Sequence, residues 1–509
     1  MGLKPASPES RPDPVEVQIT AGALASACEE MGAVLVRSAH SANIKERRDC
    51  SAAVFDSNGE MVMQAEHIPV HLGSMPASVA AVADREHHPG VSWFLNDPFA
   101  GGTHLPDITV VTPAFDDRGR LIGFAANRAH HADVGGRLPG SMPADSRTLA
   151  EEGVIIPPRV LDERAIAEVT SLMRQPEQRR ADLRAQIAAN RAGAHRLAEL
   201  AALKGTEELG RAMDSVLEYA ENRTRTRISE IPDGVYSASD KLEALDGDLD
   251  LKLTATVRGE DISFDFTGSS AQDSGNLNCP ISVTASACYF AVRVITDPDI
   301  PASAGAYRPI EVVVPEGTLL NANAPAAVVA GNVETSSRVA DLCLRAFGHA
   351  LGQGTMNNVT LGNDRFTYYE TLGGGQGAGP DADGPSAVHV AMSNTLNTPI
   401  EALEIEFPLR AVEYSIRRGS GGRGEHRGGD GLVREVEALE PMEFALLTER
   451  RRHRPPGAAG GEPAAAGRNL LTARGTDRPE SLEPKATGSL NSGDRLRIET
   501  PGGGGYGAA

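Results

Sequence analysis

The stretch GGTHLPDITVVTP, residues 101–113, places His104 and Asp107 three apart, ahead of a β-branched run. Pro106 holds Leu105 in extended geometry and disfavours a helix, so a loop must aim both side chains. An imidazole and a carboxylate at this spacing suit half of a metal site, an acid/base pair, or a turn that feeds a strand. A second group, RAHHADVGG at 128–136, adds His130, His131 and Asp133. Two histidines with two carboxylates suit zinc, manganese or iron and leave a position for water or a substrate oxygen. The structural alternative is a hydrogen-bonded histidine pair capping a sheet. His67 and His71, in AEHIPVHLGSM, are candidate substrate-binding groups, and Pro69 between them breaks the helix that would put both on one face.

The elements that must position these residues follow from hydrophobic period. Residues 108–115 (ITVVTPAF) and 121–126 (LIGFAA) read as a hairpin across DDRGR. An antiparallel return then brings His104 and Asp107, before the first strand, to the same sheet end as His130, His131 and Asp133, after the second. Residues 51–64 read as an earlier hairpin around Ser57-Asn58-Gly59. Residues 15–40 place Leu24, Cys28, Met31 and Leu35 at helical spacing. Residues 160–228 predict long helices, separated near Pro176, with Leu183, Ile187, Ala194, Leu197 and Leu200 along one stripe. A hairpin around Arg258-Gly259-Glu260-Asp261 and a helix over 333–351 follow, and beyond about 386 the chain reads as β and loop. The expected fold class is α+β: a large multi-lobed chain with antiparallel or mixed sheets, a central helical segment and a β-rich C-terminal part. The expected regions are a disordered 1–13, a metal-site α+β region at 14–159, a helical segment at 160–230, an α+β region at 231–385 and a β-rich region at 386–509.

Composition excludes several classes. With 509 residues the chain buries more than one core or one large one. A formal charge of -20 repels phosphate backbones and anionic membranes, so neither nucleic acid nor membrane is expected as a partner. Five scattered cysteines without a C-x-x-C pair suggest neither a disulfide framework nor a thiolate zinc site, and fit a reducing cytoplasm. The polar, proline-rich start and the lack of an apolar run near 18 residues predict no secretory signal and no membrane span. Gly419 to Gly424 satisfies G-x-G-x-x-G but precedes no helix, and the glycine run at 372–386 lacks the Lys-Ser/Thr of a P-loop, so no ATP site is read in this chain. The closing TPGGGGYG reads as a flexible tail, or as a tyrosine that docks a loop.

The segments NDPFAGGTHLPDITVVTP, NRAHHADVGG, ERRDCSAAVFD, DFTGSS and TPGGGGYG, in that family's order along the chain from about residue 14, resemble hydantoinase B of the hydantoinase/oxoprolinase family. The resemblance implies a B subunit that works with a separate hydantoinase A-type subunit, which binds ATP and Mg, in opening cyclic amides such as a hydantoin, 5-oxoproline or a lactam. A hetero-oligomer such as a dimer of A-B pairs is implied. So is a divalent transition metal, zinc, manganese or iron, on Asp49, His104, Asp107 and His130. His131 and Asp133 are then expected to orient ligands or transfer protons. The alternatives are a subunit of an ATP-dependent ketone carboxylase, as in related complexes, and a non-catalytic scaffold subunit. This sequence departs from the family at RPPGAAGGEPAAAGRN, 454–469, where alanines replace an aromatic and a large apolar residue.

Overall fold

The computed structural model describes residues 13–65 and 68–509. The expected disorder of 1–13, apart from Asp13, and the candidate His67 lie outside them. Asp13 caps a helix, Pro14–Ser38, by accepting from Val15 N. Leu24, Cys28, Met31 and Leu35 are fully buried along that helix, and each large apolar side chain stabilises the fold by roughly 1.5–3 kcal/mol. This helix is long and apolar enough to cross a membrane by length and composition alone. Its inner face is nevertheless packed, with Leu24, Cys28 and Met31 against Val54, Ala125, Leu197 and Val216.

Among the described residues four sheets carry the architecture, which is α+β as expected. The first is antiparallel, in the order β2-β1-β5-β4-β3-β6. Its strands are β1 (Cys50–Phe55), β2 (Met61–Ala65), β3 (Ser92–Leu95), β4 (Asp107–Phe115), β5 (Leu121–His130) and β6 (Arg159–Leu161). Both hairpins expected in this region form: β1 with β2, and β4 with β5. The second sheet is mixed: β7 (Gly234–Ala244), β8 (Gly247–Arg258) and β9 (Asp261–Asp265) are antiparallel, and β10 (Ile310–Val313) joins β9 in parallel. Two further antiparallel sheets fill the C-terminal part. One contains β11 (Asn358–Gly362) and β12 (Thr367–Glu370). The largest core cluster joins Phe55 and Phe124 of the first sheet to Leu251 and Phe264 of the second and to Leu447. One interior therefore spans distant parts of the chain.

The helical segment contains Pro176–Lys204, with Pro176 in its first turn as the sequence predicts, and Thr206–Ile228. Its buried face differs from the expected stripe. Leu183 and Leu197 are buried, but Asp182, Gln186 and Asn190 are fully buried beside them, whereas Ile187, Ala194 and Leu200 are only partly so. The reason is a set of hydrogen bonds to the β4/β5 hairpin. Gln186 Nε2 donates to Ile108 O at 2.8 Å, and Asn190 Nδ2 donates to Val110 O at 2.8 Å. Asn127 Nδ2 donates to Gln186 O and to Asn190 Oδ1, both at 2.7 Å. An amide satisfied in this way stabilises modestly, but losing its partners costs about 1–3 kcal/mol each, so these bonds lock the helix in register over the hairpin.

The TPGGGGYG segment is not a flexible tail. Gly502, Gly503, Gly504 and Gly505 are buried, threaded between the other glycine-rich loops. Gly503 N donates to Gly429 O at 2.9 Å, and Gly422 N donates to Gly503 O at 2.8 Å. A Cβ on Gly503 would lie 1.9 Å from Gln376 O, so only glycine permits this backbone approach. Tyr506 bridges to Ala458 within the alanine-substituted segment and to His426, which agrees with the loop-docking reading.

Candidate metal centre

The β4/β5 register sets the centre of the site. Asp107, the first residue of β4, pairs directly with His130, the last of β5. Asp107 Oδ1 stands 3.1 Å from His130 Nδ1 and 3.2 Å from His104 Nε2. All three residues are no more than 2% exposed, and each offers a ligand atom within 4.8 Å of the other two. The chain reaches His104 through Gly101, whose φ of 99° and close approach to Ala77 O exclude a side chain. Asp49 lies beside the group because its carbonyl accepts from His130 N at 3.0 Å, and it lines the same cavity. Arg48, just before it, sits in the left-handed region at φ 54°, the kind of backbone strain that clusters at functional sites.

Burial alone would raise the Asp107 pKa. The neighbouring His104 charge overcomes it and, with the facing imidazoles, holds the carboxyl well below its usual range. Burial likewise pulls His104 down, but the Asp107 carboxylate outweighs it and raises the imidazole. His130 Nε2 and Asn332 Oδ1 are buried without a hydrogen-bond partner, and His104 Nε2 is not aligned for one. Unsatisfied buried nitrogens and oxygens are costly in an apolar interior. Such a donor set fits a divalent transition cation.

Comparison with known proteins gives this arrangement a context. Residues 13–509 match the family model for hydantoinase B/oxoprolinase. The chain belongs to the hydantoinase B/oxoprolinase family. As a member of that family it is 39% identical to "5-oxoprolinase 1" of Arabidopsis thaliana over 98% of this chain, but it spans only 42% of that relative's length. It is 38% identical to "Uncharacterized protein MJ0963" of Methanocaldococcus jannaschii, over 97% of this chain and 91% of that protein. The crystal structure of the ATP-dependent caprolactamase from Pseudomonas jessenii superposes with a TM-score of 0.92 at 28% identity, covering 97% of this chain and 91% of that one.

In this hydantoinase B/oxoprolinase chain, the fold separates the two adjacent histidines. His130 faces the cavity, while His131 turns the other way, its Nε2 2.9 Å from Gln186 Oε1 on the Pro176–Lys204 helix. Burial pushes the His131 pKa down to about 4. Asp133 accepts from Gly135 N at 2.7 Å, from Gly140 N at 2.9 Å and from Arg174 Nη1 at 3.1 Å. Neither residue lines the cavity: His131, expected to orient a ligand or transfer a proton, meets the helix, and Asp133 shapes the loop at 135–140. Strand alternation explains the split: consecutive side chains at the end of β5 point to opposite faces.

His71 does reach the centre. The Pro69–His71 turn is 3-10 rather than α, and it brings His71 Nε2 to 3.5 Å from Asp107 Oδ2 while Nδ1 meets Ser51 Oγ at 2.9 Å. Thr103 Oγ1 donates to the same carboxylate oxygen at 2.7 Å. Three wall groups escaped the sequence reading. Asn332 sits on a π-helical turn, Gly331–Thr335, and its Nδ2 approaches Asp107 Oδ2 at 3.4 Å. Tyr369 on β12 stacks on His130 with centroids 4.5 Å apart, and the Arg47 guanidinium lies 4.5 Å from the same ring. Ser393 comes from an irregular loop. None carries a short motif, since each arrives by packing from more than 200 residues away.

These residues line one cavity. Asp49, His104, Asp107 and His130 form one end, Thr371, Ser393 and Thr395 contribute hydroxyls, and Ile68, Val70, Val333 and Met356 supply apolar surface.

Proposed function

We propose that this chain is the metal-bearing part of an ATP-dependent enzyme that opens small cyclic amides, with ATP used by an A-type region or subunit. The observation that carries the reading is the buried set of His104, Asp107 and His130 at the end of a mixed polar and apolar cavity, with Asp49 on the same wall. In this reading those four residues hold zinc, manganese or iron. When bound, such a cation supplies Lewis acidity toward an oxygen and makes water a stronger nucleophile near neutral pH. His71, Thr103 and Asn332 fix the Asp107 carboxylate, and Tyr369 holds the His130 ring while excluding water. Ile68, Val70, Val333 and Met356 receive the ring carbons. The match to MJ0963 over 91% of that protein's length supports an arrangement in which the ATP-using part is a separate chain. A dimer of such pairs is the assembly we propose.

The test is reconstitution with an A-type partner and metal, followed by ATP consumption and ring opening with hydantoin, 5-oxoproline and caprolactam. ATP-dependent opening of one of these rings that needs both chains is the expected result. Ring opening by this chain alone without ATP overturns the two-part scheme. ATP turnover that instead requires bicarbonate and a ketone assigns carboxylation.

A further inference from the structure

Ser393 and His389 form a hydroxyl-imidazole pair in the cavity wall that the metal centre does not use. Ser393 Oγ lies 2.7 Å from His389 Nδ1, and Ser393 lines the cavity while 4% exposed. His389 Nε2 is buried with no hydrogen-bond partner. The loop that carries the pair is bent by two non-glycine residues in the left-handed region, Ala387 at φ 56° and Ala391 at φ 51°. Such conformations persist only where surrounding structure enforces them. Burial, aided by the nearby Arg47 charge, pushes the His389 pKa down to about 4, so the ring is a neutral partner near neutral pH.

The neighbouring threonine hydroxyls on this wall are already engaged. Thr371 and Thr395 hydrogen-bond to each other, and both oxygens face Arg47 Nη2, at 3.1 Å and 3.5 Å. Asn332 belongs to the metal end, where its Nδ2 contacts Asp107 and its Oδ1 has no partner. In the tautomer whose Nδ1 accepts, Ser393 gives its hydroxyl hydrogen to His389 and presents oxygen lone pairs to the cavity. The apolar side chains Ile68, Val70, Val333 and Met356 line the same space.

We infer that Ser393 is a specificity residue whose oxygen accepts the unsubstituted N–H of a small cyclic amide, with His389 orienting the hydroxyl. This rests on the cyclic-amide reading above and deepens it: the substrate class becomes a compact ring with at least one free amide N–H and adjoining apolar carbons. A site built around such an acceptor rejects an analogue that lacks the hydrogen, because the buried group loses its partner.

The experiment compares 2-pyrrolidinone with N-methyl-2-pyrrolidinone as probes of the metal-loaded chain in complex with its A-type partner, by calorimetric binding and by ATP-dependent turnover. The wild-type complex is expected to bind the N–H lactam about tenfold more tightly than the N-methyl one. Ser393→Ala removes this preference by weakening only the N–H lactam, and Ser393→Thr, which keeps the hydroxyl, restores it. A general folding defect would weaken both probes together, so the ratio separates specificity from structure. A ratio unchanged in Ser393→Ala overturns the assignment even if turnover is intact, and so does failure of both lactams to bind. A Ser393-dependent ratio without any turnover leaves the assignment standing and overturns the proposed reaction.

Discussion

Asp107 and His130 face each other across the first paired position of β4 and β5, with Oδ1 and Nδ1 3.1 Å apart. The hairpin register therefore builds the centre, and Asp107, which also meets His104 and His71, is its hub.

Replacing Asp107 with Asn keeps the side-chain shape and removes the charge. Metal affinity is expected to fall by at least about 100-fold, more than loss of a supporting hydrogen bond produces. Elemental analysis after dialysis against graded metal buffers measures it. Full metal content together with unchanged turnover would favour the scaffold alternative.

Tyr369 joins His130 to Arg47, and its hydroxyl receives Asn358 Nδ2. Tyr369→Leu should lower unfolding stability by about 2–4 kcal/mol through the lost ring volume and stacking. Tyr369→Phe should cost about 1–2 kcal/mol by leaving the Asn358 amide without its partner. Urea titration reads both, and equal effects would show that the ring contributes nothing beyond its hydroxyl.

Gly503→Ala would place a methyl group 1.9 Å from Gln376 O, whereas Gly379→Ala meets nothing within 4 Å. The first should destabilise by about 3 kcal/mol or prevent folding, and the second should be close to neutral. Thermal melting and limited proteolysis distinguish them. Equal melting temperatures for the two variants would refute the buried path of the glycine segment.

His131 and His389 are both held neutral by burial, with pKa values pushed down from 6.5 to about 4. Depressed histidines bind protons in the unfolded chain before the native one, so stability is retained above about pH 6.5 and falls as the pH drops from there toward 4. The two groups together add up to about two protons to the slope of stability against pH in this window. His131→Asn and His389→Gln should each remove about one. Denaturant midpoints at several pH values test this, and a slope identical to wild type would show that the replaced ring was not held neutral.

Much of the site's address was legible in the sequence. The β-branched runs around DDRGR define a hairpin, and its antiparallel return brings Asp107 and His130 to one sheet end, while their direct pairing was left to the register. The family motifs named Asp49 and His104 as their neighbours, and the geometry brings both to the same wall. The glycine-rich closing segment was legible in type but not in role, because a run of glycines supports a mobile tail and a close backbone stack equally well until its neighbours are known.

What the sequence by itself determined was the local part: the α+β character, the hairpins, the helix begun by Pro176, and the ligand-type residues at one sheet end. Only the tertiary structure decided that His130 faces the cavity while His131 binds Gln186, that His71 reaches Asp107 through a 3-10 turn, and that Asn332, Tyr369 and Ser393 complete the wall. Period and turn chemistry act over a few residues, and each of these outcomes depends on contacts between distant segments. The polar helix face over β4 and β5 and the stacking of Tyr369 on His130 settle them through burial and hydrogen-bond satisfaction, which no local pattern encodes.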